Sequence, residues 1–158
     1  MPLRNPQDLP NNGKIIAFDV GSKTVGIATS DKGRMIASPY KTLTREKWKV
    51  DKEILRKFIE TEGVTCAVVG LPLNMSGDIT PQTKSCISFA ENVERDLGIP
   101  VLLWDERLST VSATNALFEQ RQGRQKRASK KDVKKQVDSV AASLFLQSVL
   151  ENLRYSQF

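Results

Sequence analysis

Two apolar runs without alternation, VTCAVVG at 64–70 and IPVLLW at 99–104, restrict the fold of this chain more than any other feature. A strand with one wet face alternates, whereas VTCAVVG stays apolar and reads as a strand buried on both faces, as in a parallel sheet covered by helices. Each run follows a helical pattern. DKEILRKFIETEG puts Ile54, Leu55, Phe58 and Ile59 on one helical face and stops at Gly63, a C-cap signal. The second helix opens with Thr80 as N-cap and Pro81 at its first position, repeats Ile87, Ala90, Val93 and Leu97, and closes on Gly98.

Ahead of both lie three shorter strand patterns, from Lys14 to Val20, from Val25 to Ser30, and MIASPYKTL at 35–43. Gly21 and Gly26 flank a tight first connection, DKG at 31–33 marks the second, and Pro39 places the third strand at an edge or a bulge. A short helix after Ser109 or Thr110 and a long helix from Ser129, with Asp132 completing a capping-box pattern, end the chain. An antiparallel meander followed by two strand–helix–strand steps predicts an α/β fold: a mixed five-stranded sheet, three strands antiparallel and two parallel, with helices on both faces.

At 158 residues and 39% apolar content the chain holds one sizeable core. The expected division is a flexible, proline-broken tail over 1–13, one domain over 14–153 and a short tail over 154–158. No stretch approaches the roughly 20 apolar residues that span a bilayer, and no signal-peptide pattern precedes the domain. Cys66 and Cys86 stand 20 residues apart without any CxxC pairing, which predicts buried thiols in a reducing cytoplasm. The sequence has no histidine, so His-based triads, imidazole bases and Cys/His zinc sites are all excluded. Any catalysis falls to carboxylates, lysine, tyrosine or metal.

Charge is unevenly placed. RQGRQKRASKKDVKK, residues 121–135, carries eight Lys/Arg and one Asp, a balance of +7 in a chain whose total is +6, so the other 143 residues sum to −1. Such a run is either a solvated segment or a polyanion contact. It leads straight into the last helix, where Lys131, Lys134, Asp138, Ala142 and Phe145 lie near one line and Val133, Val137, Val140 and Leu144 form the adjoining apolar stripe. Asp138 therefore borders the buried face, and small Ala141 and Ala142 permit close approach to the sheet.

The first and fifth strands both break on acids, Asp19 and the pair Asp105/Glu106. Neighbouring strands would bring these to one sheet edge, where open α/β sheets carry their sites, and Asp138 would add a third acid. Taken singly, each fits a turn former or a solvated helix residue equally well. Taken together, acids without histidine repel one another unless cations neutralise them, and hard divalent ions with oxygen ligands do so. Two such ions about 3.5–4 Å apart can activate water and stabilise the leaving oxygen of a phosphodiester.

DVGSKTVGIA at 19–28, GLPLNMSG at 70–77, DERLST at 105–110 and DSVAASLFLQ at 138–147 together resemble the motifs of the YqgF/RuvX family, Holliday junction resolvases and pre-16S ribosomal RNA nucleases of RNase H-like fold. The resemblance runs from about Lys14 to Leu153. It implies Asp19, Asp138 and either Glu106, which is favoured, or its neighbour Asp105 as ligands of Mg²⁺ or Mn²⁺, two ions in all. Adjacent strand residues face opposite ways, so Asp105 becomes the acid that supports Glu106 or fixes its loop. The resemblance also implies substrate contacts at Lys23, Arg107 and Thr110. The basic segment adds Arg124, Lys126, Arg127, Lys130, Lys131 and Lys134 as phosphate guides. GLPLNMSG reads either as a backbone cradle near the site or, through Gly70 and Gly77, as simple turns.

The function expected is metal-dependent hydrolysis of phosphodiester bonds in pre-16S ribosomal RNA during small-subunit maturation, with the small ribosomal subunit as a possible partner. Three alternatives stay open. A four-way DNA junction resolvase would be a homodimer, while RNA processing is compatible with a monomer. A non-catalytic RNA-binding module would use only the basic segment. An actin-like nucleotide kinase shares the Asp-x-Gly turn but needs two lobes, and this length supplies one.

Overall fold

The computed structural model describes residues 2–73, 77–108 and 130–155, the first eight of the last span as backbone alone. Strands β1 (Lys14–Val20), β2 (Thr24–Ser30) and β3 (Ala37–Thr44) form the antiparallel meander. β4 (Val64–Leu71) pairs parallel with β1, and β5 (Val101–Asp105) parallel with β4. The sheet order is β3-β2-β1-β4-β5. β3 is thus an edge strand, and the β2–β3 register shifts between Ile27 and Ala28, the latter opposite Pro39, so that the residue lacking an N–H sits where a ladder bond is dispensable.

Helices α1 (Trp48–Glu62) and α2 (Pro81–Leu97) cover one face, and α3 (Lys130–Tyr155) the other. Period-two alternation divides the core accordingly. Ile16, Phe18, Val20 and Val69 meet Leu55, Phe89 and Val93, while Ile15, Ala17, Val68 and Trp104 meet Ala142, Phe145, Leu146 and Val149. Burial on both sides explains why β4 shows no alternation. Gly63 and Gly98 end α1 and α2 in the left-handed conformation, and Thr80 with Thr83 forms a reciprocal capping box at the start of α2.

Several expectations are corrected. The tail over 1–13 is docked where described: Leu3 bonds to both Val101 and Leu103 along the outer edge of β5, and Leu9 is buried against the α3 side of the core. Covering an exposed strand edge, burying Leu9 and partly burying Leu3 outweigh the freedom of a short polar segment. α1 begins at Trp48, before the expected start, because Asp51 accepts from the Glu46 N–H and Trp48 Nε1 donates to Asp96 Oδ2 at 2.6 Å, tying α1 to α2. Cys86, Phe89, Ala90 and Val93 make the buried face of α2, with Ile87 and Leu97 at its margin. In α3 the buried line runs through Ala142, Phe145, Leu146, Val149 and Leu150, and Val140 and Leu144 lie half-buried beside it. Ser143 enters the buried side because its hydroxyl bonds to the Val140 carbonyl, at 2.7 Å. The short helix expected after Ser109 or Thr110 lies outside the described residues.

Candidate active site

Ile15, Ala17 and Asp19 share the face of β1 that α3 covers, so the strand delivers Asp19 toward that helix. Asp19 pairs in register with Gly26 of β2. Gly26 is not a turn residue, as the sequence suggested, but a packing residue: a Cβ there would overlap the backbone carbonyl of Asp138. Absence of a side chain at Gly26 lets α3 cross the sheet close enough to set Asp138 beside Asp19. Thr24 Oγ1 then donates to Asp138 Oδ2 at 2.8 Å and orients that carboxylate.

The third acid arrives from β5. Leu102, Trp104 and Glu106 follow the α3 face, and Glu106 opens a single 3₁₀ turn, Glu106–Leu108, just past the strand. A Cβ on Gly70 would stand 2.6 Å from Glu106 Oε1 and 2.8 Å from Phe145. Gly70, inside β4, therefore makes the space that Glu106 occupies and is no turn residue. Gly77 has φ +80° and lies beside the Arg107 guanidinium, a Cβ there standing 3.6 Å from both Nη atoms.

Electrostatics ties the acids together. Burial, then the charge of Asp138, raises Asp19 from 3.8 to about 6. Burial, then Asp19 and Asp105, raises Glu106 from 4.5 to about 7. The Cys86 thiol, beneath the site with its Sγ 3.7 Å from the Val20 carbonyl, is pushed up to about 11 by burial and then by Glu106 and Asp19. Asp105 behaves differently. It accepts from Arg107 through Nε, Nη2 at 2.6 Å and the backbone N–H, and these bonds hold its carboxyl below the usual range. Asp105 is thus placed to fix the 105–107 backbone, and Glu106 is the acid that shares a field with Asp19.

The donor set, all carboxylate oxygen and mutually repelling, suits a hard divalent cation. Among the described residues, no three Asp, Glu or Cys side chains close tightly enough to grip one ion by themselves. Lys23 is exposed at the tip of the β1–β2 turn. Arg107 is bound up with Asp105. Lys130, Lys131 and Lys134 fall in the opening turns of α3, described as backbone, and Thr110, Arg124, Lys126 and Arg127 lie outside the described residues. Sequence reasoning missed Thr24, whose hydroxyl at the turn exit was a usable signal. Arg45 stands beside the β1–β2 turn because β3 stops there, its backbone N–H donating to the Lys23 carbonyl, and no local pattern announces this.

A mixed five-stranded sheet with this order, covered by helices on both faces, is an RNase H-like fold of the RuvC kind. The RuvC structure from Thermus thermophilus matches 89% of this chain and 96% of its own with a TM-score of 0.56 at 8% identity. The T. thermophilus RuvC complex with a Holliday junction substrate matches the same shares with a TM-score of 0.52 at 11% identity. At sequence level, residues 13–152 match the family described as RuvX, Holliday junction resolvase, and the chain belongs to that family. Relatives carrying the name "Putative pre-16S rRNA nuclease" include one from Zymomonas mobilis, 42% identical over 144 residues, covering 91% of this chain and 84% of its own. Another, from Sphingopyxis alaskensis, is 42% identical over 143 residues and covers 90% of each chain.

Proposed function

We propose that this protein is a divalent-metal-dependent nuclease that hydrolyses phosphodiester bonds at the 5′ end of pre-16S ribosomal RNA. The observation that carries the reading is that Asp138 and Glu106 each lie within electrostatic reach of Asp19 on the α3 side of one sheet edge, where Asp19 and Glu106 are raised to about 6 and 7. Half-buried acids held close to other acids are poised for cations. Asp19, Glu106 and Asp138 would hold Mg²⁺ or Mn²⁺, two ions in all, and the ions supply water activation and charge neutralisation at the phosphate. Thr24 keeps Asp138 aimed, Asp105 and Arg107 stiffen the backbone at Glu106, and Lys23, Thr110 and the lysines and arginines of 121–135 draw in the phosphate backbone.

The RNA substrate follows the name borne by relatives about 40% identical along most of this chain. In this reading the protein works in the cytoplasm, with the small ribosomal subunit presenting the precursor. A four-way DNA junction is the second reading, favoured by the family's description as a junction resolvase.

Cleavage of end-labelled RNA carrying a precursor 16S end, beside a four-way DNA junction, tests both with Mg²⁺, Mn²⁺ or EDTA. Expected is RNA cutting that EDTA abolishes and Asp19→Asn lowers at least about 100-fold, the scale of losing a group that stabilises transition-state charge. Cutting of the junction alone moves the assignment to DNA. Binding without cutting, even with the small subunit added, overturns the nuclease reading in favour of an RNA-binding module.

A further inference from the structure

Several of the described arginines have acidic partners. Arg107 pairs with Asp105 at 2.6 Å and Arg95 with Asp96 at 2.9 Å, while Arg56 reaches Glu53 at 3.8 Å. Arg45 is different. It is half-buried, has no ion pair among the described residues, and makes one side-chain hydrogen bond, Nη1 to the Gly21 carbonyl at 2.7 Å. A guanidinium carries five N–H donors, so most of its donating capacity is left over.

Its place is fixed from three sides. The Arg45 backbone N–H donates to the Lys23 carbonyl at 2.8 Å, joining the end of β3 to the β1–β2 turn. The guanidinium lies 5.8 Å from the Phe89 ring centre, and Phe89 is held edge-on by Phe18 and Trp48 at 5.2 and 5.6 Å. The Gly21 carbonyl anchors the tip, two residues past Asp19. The guanidinium lies on the α1–α2 side of the sheet, over Phe89, and the Cys86 thiol is within electrostatic reach of Arg45 as well as of Glu106 and Asp19. A partly desolvated charge without a counter-ion is costly. The ligand a rigid guanidinium fits best is an anion with several oxygens, above all a phosphate.

Resting on the nuclease reading above, we propose that Arg45 is a phosphate-binding residue which, beside Lys23, seats the backbone of the nucleic-acid substrate against the turn that follows Asp19. The acids alone would repel a polyanion at this edge. Arg45 offsets part of that repulsion at the turn, two residues past Asp19.

The salt dependence of binding separates a phosphate contact from a structural role. Fluorescence anisotropy in EDTA, across a range of salt, would compare wild type with Arg45→Ala, Arg45→Gln, Arg45→Lys and, on the remote β2–β3 turn, Lys32→Ala. The probes are RNA carrying a precursor 16S end and a four-way DNA junction. Arg45→Ala is expected to weaken binding about tenfold and to flatten the log–log salt slope by about 0.7 on single-stranded RNA, the loss of one phosphate contact. Arg45→Gln, which keeps a donor for Gly21 and so protects the fold, should flatten it equally. Arg45→Lys and Lys32→Ala should keep the wild-type slope. A larger effect on the junction than on RNA identifies DNA as the strand seated there. Unchanged affinity and slope in both Arg45→Ala and Arg45→Gln overturn the proposal. Because these measurements need no cleavage, a wild type that binds but never cuts rejects the nuclease reading while leaving the Arg45 contact standing.

Discussion

Asp19 and Glu106 sit where solvent is scarce and other acids are near, and both hold protons to a higher pH than a solvated carboxyl. The sign of the consequence follows from linkage. Their folded values, about 6 and about 7, exceed the ordinary 3.8 and 4.5, so between these limits the folded chain binds more protons than the unfolded one. Their contribution to stability is therefore fully present in acid and is lost as pH rises through 6 and 7. After discounting for partial exposure, each carboxyl contributes on the order of 1–2 kcal/mol, or roughly 2–8 °C in Tm for a domain of this size. The metal-free protein should thus melt higher near pH 5.5 than near pH 8 in calorimetry at constant salt. Asp19→Asn should raise Tm near pH 8 and remove part of the slope, and Mg²⁺ should restore stability at the alkaline end by neutralising the ionised pair. A metal-free Tm that climbs from pH 5.5 to 8 would contradict the assignment of these raised values.

At the level of elements, the site depends on how closely α3 lies on the sheet, and Gly26 sets that distance. Gly26→Ala must push Asp138 away or bend β2, so it should cost about 1–3 kcal/mol in urea melts and, by separating Asp138 from Asp19, lower cleavage more than tenfold. An alanine variant with wild-type stability and activity would show that α3 approaches the sheet less closely than described. Much of this architecture was legible. The unbroken apolar runs gave the two parallel strands, Pro39 gave the edge, Gly63, Thr80 and Gly98 gave the helix ends, and the acids stood at the strand ends. Less legible was whatever depends on contacts distant in sequence. Gly26 looked like punctuation because its partner lies 112 positions further on, at Asp138. Leu3 and Leu9 looked like tail because their burial depends on β5 and α3. The buried line of α3 was misjudged because serines that bond to their own helix can enter a core, and hydropathy ranks them as surface residues.

Across the whole molecule, the proposed handling of a polyanion would divide between acids and basic residues. The acids gather at the carboxyl edge of the sheet, while residues 121–135 carry a balance of +7 against −1 for everything else. Without that segment the remaining chain has no net attraction for phosphate, and the proposed nuclease would draw long-range capture from it. Its C-terminal end leads into α3, the helix that bears Asp138. Replacing Arg124, Lys126, Arg127, Lys130 and Lys131 by Gln removes five charges. On single-stranded RNA this should flatten the log–log salt slope by up to about 3.5 and weaken binding at least about 30-fold near 0.1 M salt, read by anisotropy in EDTA. Tm should barely move, because a run of like charges repels itself and gains from their loss about what it gives up in solvation. Cleavage at saturating substrate should keep its rate, since the replaced side chains act in capture and the acids are untouched; a fall in that rate with unchanged affinity would place these residues at the reacting phosphate instead.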